Sequence, residues 1–121
     1  TVVLTPDRNG HFVSYGSING APVRFLVDTG ATMVSMSVED ARRAGVNYVA
    51  GERGYSQTAN GVAAIYKVKL GKVTLGDITL QDIDGVVHEN TALPVVLLGM
   101  SFLGRLEMRR EGDSMTLTKR Y

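Results

Sequence analysis

Glycine interrupts this sequence so often that no long helix can run through it. Fourteen glycines are spread over 121 residues, and each costs a helix interior about 1 kcal/mol relative to alanine. Sixteen valines far outnumber the five tyrosines and three phenylalanines, which favours short strands joined by tight turns. Residues 11–18 and 21–28 flank Asn19-Gly20, a pair suited to the left-handed dihedrals of a two-residue type I′ turn, so a hairpin is predicted there. Val13 and Tyr15, then Val23, Phe25 and Val27, recur with period two, and Pro22, lacking a backbone donor, belongs at a strand start or free edge. The one helix expected is Val38 to Ala44, with Ser37 as cap, Asp40 three residues on and Gly45 as terminator. Further strands are predicted around 53–58, 62–70, 72–75, 78–87, 94–98, 105–110 and 114–119, the last two closing around Glu111-Gly112-Asp113. The expected result is a mainly β, mostly antiparallel single domain spanning residues 1–121.

Composition removes several function classes. A net charge of +1 gives no broad electrostatic reason to bind nucleic acid or anionic lipid. The absence of cysteine excludes disulfides, zinc–thiolate sites and cysteine nucleophiles. Two histidines, His11 and His88, are too few for a histidine-rich metal site and serve no serine in a nucleophile-elbow sequence. Asp82 and Asp84 share a strand face by spacing, but without a third ligand they read as a solvated edge. No metal or other cofactor is expected. The longest apolar run, Leu93 to Leu98, has six residues and contains Pro94, far short of the roughly 20 needed to span a bilayer. A chain starting at Thr1 is expected to be a processed or trimmed form.

The stretch that carries chemistry is Phe25-Leu26-Val27-Asp28-Thr29-Gly30-Ala31-Thr32. An apolar strand delivers a carboxylate into a glycine turn. The threonine offers a short hydroxyl, the glycine lets backbone approach closely, and no Lys or Arg within the motif neutralises the acid. The bland reading is an Asp that hydrogen-bonds its own turn. The alternative is a catalytic carboxylate.

This motif resembles the apolar-apolar-Asp-Thr-Gly-Ala-Thr signature of retropepsin-like aspartic proteases, particularly the single-domain bacterial members. Two further segments agree with that family in order. Leu97-Leu98-Gly99 is similar to the apolar pair and glycine that pass beneath the catalytic loop, followed by the short helical segment Met100 to Leu103. Tyr55 to Val68, with its tip at Thr58-Ala59-Asn60-Gly61, is similar to the flap hairpin that closes over substrate. The resemblance covers residues 11–119. It implies a half-barrel with one or two short helices, closed by homodimerisation, and a peptidase with Asp28 as catalytic residue. Thr29, Gly30, Ala31 and Thr32 would support the active-site loop, and Thr58, Ala59, Asn60 and Gly61 would contact substrate. Two features differ from parts of the family. The flap tip lacks the aromatic residue of the two-domain pepsins, and the hairpin from Arg105 to Lys119 is longer than in the smallest viral enzymes.

Metal-free peptide hydrolysis needs a base to activate water and an acid to protonate the leaving amine. The chain offers one acid at a suitable motif, so a second copy must supply the other, and a homodimer acting on an extended peptide is expected. Val34, Ala59 and Val95 are the expected apolar walls of the cleft. Two other functions fit the residues: a catalytically silent retropepsin-like module that dimerises or binds peptide, and a plain β-barrel adaptor in which Asp28 only stabilises a turn. From the resemblance alone, the expected location is the bacterial cell envelope or periplasm, with a membrane anchor in the full-length protein.

Overall fold

The computed structural model describes residues 1–58, 61–89 and 94–120. Among them the elements run β1 (Val2–Leu4), β2 (Val13–Ile18), β3 (Ala21–Val27), β4 (Val34–Ser37), α1 (Val38–Arg43), a 3₁₀ turn (Tyr48–Ala50), β5 (Glu52–Thr58), β6 (Gly61–Leu75), β7 (Ile78–His88), β8 (Val96–Leu98), α2 (Met100–Leu103), β9 (Leu106–Glu111) and β10 (Ser114–Lys119). Seven strands form one sheet in the order β2-β3-β8-β4-β7-β6-β5, and β2 also pairs with β6, so the sheet curls back on itself like a half-barrel. A second sheet has the order β1-β10-β9.

The first hairpin forms as its turn residues dictate. Asn19 and Gly20 adopt φ of 51° and 85°, and the register runs from Ile18 opposite Ala21 to Val13 opposite Leu26. In α1 the Ser37 hydroxyl accepts the Asp40 N–H at 3.3 Å, and Ala44 follows the last helical residue. Glu39 and Asp40 in the first turn and Arg42 and Arg43 in the last complement the helix dipole.

Two expectations need correction. Gly71 does not divide residues 62–75, because β6 is continuous from Gly61 to Leu75. Here the Asn19 side chain occupies the space beside Gly71, 3.2 Å from where a Cβ would sit, and accepts the N–H of Lys72 at 3.0 Å. The glycine makes room for the neighbouring turn and breaks nothing. Second, the short strands β1 and β4 lie where none was expected. Most pairs are antiparallel, as expected, while β3 pairs in parallel with β8 and β4 with β7.

Among the described residues the interior is apolar except at Ser37 and Asp40, which are buried at the start of α1. Phe25, Val34, Met36, Leu70, Leu98, Phe102 and Leu117 are fully buried, each contributing about 1.5–3 kcal/mol of transfer free energy before the entropy of ordering is deducted. No helix among the described residues is long and apolar enough to cross a membrane.

Candidate active site

Parallel pairing of β3 and β8 sets the site. Phe25, Leu26 and Val27 lie opposite Val96, Leu97 and Leu98, and Ser35 of β4 lies opposite Leu97 from the other side. Side chains alternate between faces, so Phe25, Val96 and Leu98 point into the core while Leu26, Leu97 and Ser35 sit half-buried on the open face. Asp28 follows where β3 ends. Its N–H donates to the Leu98 carbonyl at 3.1 Å, which carries the ladder one residue past the strand.

From there the chain turns sharply. The Gly30 N–H donates to Asp28 Oδ1 at 3.0 Å, and the Ala31 N–H donates to the Asp28 carbonyl at 3.1 Å. A Cβ on Gly30 would lie 3.2 Å from that same carboxylate oxygen. Thr29 and Thr32 are exposed and Asp28 and Ala31 half-exposed. Among the described residues no ion pair involves Asp28. Its charge is therefore not consumed by a cation, and one backbone N–H orients it.

The loop rests on the segment after β8. Met100 and Ser101 donate their N–H groups to the carbonyls of Ala31 and Thr32, both at 2.8 Å. Gly99 passes so close that an added Cβ would lie 2.3 Å from the Met33 carbonyl oxygen and 2.7 Å from that of Ala31. Leu98 and Gly99 thus lie against the loop, while Leu97 pairs with Leu26 and Ser35. Ser101, which the sequence did not single out, locks the arrangement. Its hydroxyl donates to the Asp84 carbonyl at 2.7 Å and accepts the Val34 N–H at 3.2 Å, tying α2 to β7 and β4. A lone serine in a short helix carries no sequence signal for that role.

Other expected residues fall elsewhere. Val34 is fully buried between β7 and the core, so it is not a cleft wall. The alternation of an unrecognised four-residue strand could not reveal which face it takes. Leu26, which was not named, occupies the open face instead. Val95 is half-exposed and lines a small pocket with Pro94, away from Asp28 in sequence and facing the β2–β3 hairpin. Ala59 and Asn60 lie outside the described residues. Thr58 ends β5 and pairs with Gly61, which has φ of 111° and begins β6. The hairpin they close is regular back to Glu52 opposite Lys67. At its base Tyr48 packs edge-on against Tyr66, the Arg53 guanidinium lies over the Tyr66 ring, and the Tyr66 hydroxyl donates to Glu89 at 2.9 Å.

Asp84 is held by Lys69 at 2.5 Å, and Asp82 sits beside it with φ of 56°. Among the described residues no group of three or more His, Asp or Glu could hold a metal ion. His11 is exposed in the turn before β2, and His88 is half-buried at the end of β7. Chemically, the site offers one oriented carboxylate on an open apolar face.

Residues 14–105 match the family model described as gag-polyprotein putative aspartyl protease. An uncharacterized protein in the cobV 5′ region of Sinorhizobium sp is 38% identical over 112 residues, covering 88% of this chain and 46% of that protein. The uncharacterized protein RP867 of Rickettsia prowazekii is 32% identical over 108 residues, with the same two shares. The chain thus spans about half the length of the curated relatives it matches. A retropepsin-like aspartic protease from Rickettsia conorii superposes with a TM-score of 0.79 at 30% identity, covering 94% of this chain and 95% of that one. The retroviral protease-like domain of Ddi1 from Leishmania major superposes at 0.67 with 21% identity, covering 97% and 90%. At that identity it speaks for the fold alone.

Proposed function

The chain belongs to the gag-polyprotein aspartyl protease family and has the retropepsin-like fold, and from that premise we propose that it is an aspartic endopeptidase that works as a homodimer. The observation that carries the proposal is the state of Asp28. It is a half-exposed carboxylate at the end of a strand whose open face is apolar, oriented by the Gly30 N–H and joined to no cation among the described residues. In the dimer, Asp28 of each copy faces the other across the two-fold axis. Two carboxylates about 3 Å apart resist double ionisation and hold one proton between them. The ionised member takes a proton from water as its oxygen attacks the peptide carbonyl carbon. The protonated member gives its proton to the carbonyl oxygen, forming a neutral gem-diol. As that species collapses, the carboxyl that took the water's proton gives it to the amide nitrogen, and the other carboxylate takes a proton from a gem-diol hydroxyl. The C–N bond breaks to leave acid and amine, with the pair again holding one proton. The two sites titrate as one unit.

Leu26 and Leu97 would floor the cleft and favour apolar side chains beside the scissile bond. The β5–β6 hairpin, including Thr58, Ala59, Asn60 and Gly61, would act as the flap, pairing by backbone with an extended substrate. Asp28→Asn tests the proposal. Unfolded protein is expected to be cut at mildly acidic pH by wild type, with turnover lower by at least about 10²-fold in the variant. Equal cleavage by both proteins would defeat the assignment.

A further inference from the structure

Beyond the open face at Asp28, the β2–β3 hairpin carries a second feature. Arg24 lies directly opposite Tyr15 and two residues from Leu26, so all three project from one face of the hairpin. Together with Pro94, Val95 and Arg43 they border a pocket of about 250 Å³, Leu26 excepted. That volume is below the range of most small-molecule sites and suits a single side chain. Tyr15 is 76% exposed, which leaves most of a large apolar ring open to a ligand.

The charges here do not cancel. Asp40 is buried and already bound by Arg43 and the Ser37 hydroxyl. Arg24 enters no hydrogen bond or ion pair among the described residues. The nearby acid Asp7 feels its charge but turns its Oδ1 onto the backbone N–H groups of Asn9 and His11, both at 2.9 Å. Asp7 keeps its own charge, but among the residues lining the pocket Arg24 and Arg43 stand against the single acid Asp40, so the lining itself is positive beside an aromatic wall.

We propose that this pocket is a substrate contact that takes an Asp or Glu side chain, with Arg24 pairing its carboxylate and Tyr15 covering its methylenes. The proposal rests on the protease reading and gives it a substrate preference. Arg24 lies four residues before Asp28, about 13 Å along the strand at 3.3 Å per residue. The proposal therefore requires an extended peptide laid along the face of β3, which with its scissile bond at Asp28 would place the acidic residue about four positions from the cut.

Cleavage sites in unfolded protein, mapped by mass spectrometry, are expected to be enriched in Asp or Glu near that position for wild type. For Arg24→Glu the enrichment should pass to Lys or Arg. On matched peptides differing only there, the variant should lose about fivefold in kcat/KM with Glu, through KM, and regain it with Lys. Identical preferences in wild type and variant would overturn the proposal. Binding gives a readout independent of turnover. Asp28→Asn protein should bind a fluorescent Glu peptide several-fold tighter than its Gln counterpart, and adding Arg24→Glu should erase that difference. Equal binding of the two peptides to the Asp28→Asn protein overturns the pocket. Wild type that cuts nothing while this discrimination persists overturns only the protease reading.

Discussion

Most acids near the strands of this chain are already engaged. Asp7 caps its own turn, Asp40 is bound by Arg43, Asp77 meets the N-terminal amine at 3.3 Å, and Asp84 is held by Lys69. Asp28 has only the Gly30 N–H, which leaves its charge available for chemistry. His88 is a titratable group whose surroundings favour its neutral form. It lies opposite Ser37 and Ile65 at the end of β7, and partial burial lowers its pKa by penalising the charged ring. The native state thus gives up the proton at a lower pH than the unfolded chain does. Between those two pKa values the unfolded state binds more protons, so stability rises with pH through that window and is lost as pH falls. His88→Gln should flatten the slope of Tm against pH between about 5 and 7. Parallel profiles for wild type and variant would refute this. The consequence reaches function, because assays at mildly acidic pH run on the less stable side of that transition.

At the scale of elements, the loop from Asp28 to Thr32 keeps its shape because the segment from Leu98 to Ser101 runs beneath it. Gly99→Ala would drive a methyl group into the Met33 and Ala31 carbonyls, and backbone atoms cannot step aside as a side-chain tip can. The expected cost is about 2–3 kcal/mol, read as a Tm lower by roughly 10 °C, and the proposed activity should fall further because the displaced atoms carry the loop that bears Asp28. An unchanged Tm would mean that the loop and the strand do not bear on each other. This crossing was partly legible in advance. Two apolar residues and a glycine suggested the close pass, and Ser37 and Asn19-Gly20 announced the helix start and the first turn through their own chemistry. What escaped notice lacked local chemistry. β4 has four residues and shows no usable period, so Val34 was assigned to the wrong face and Leu26 was overlooked. Ser101 acts through partners 17 and 67 residues away in sequence. Gly71 was read as a break because sequence shows a missing side chain without showing the Asn19 amide that fills its place.

At the scale of the whole molecule, a cleft with one acid is unfinished. Thr29 stands exposed beside Asp28; in the proposed dimer its hydroxyl would bond the equivalent loop of the second copy, and symmetry would make that bond occur twice. If activity resides in the pair, specific activity must rise with protein concentration through the range in which sedimentation shows monomers giving way to dimers. The two midpoints should coincide. Thr29→Val keeps the volume and removes both hydroxyls, so at about 1 kcal/mol per bond the dimer Kd should rise roughly 30-fold. Because Thr29 is exposed, the monomer's own stability should move by no more than about 0.5 kcal/mol, which separates assembly from folding. Raising the variant's concentration should then restore much of its activity. A wild type that is monomeric at every concentration and cleaves with constant specific activity would remove the second carboxylate from the mechanism, and with it the reason for reading Asp28 as half of a pair.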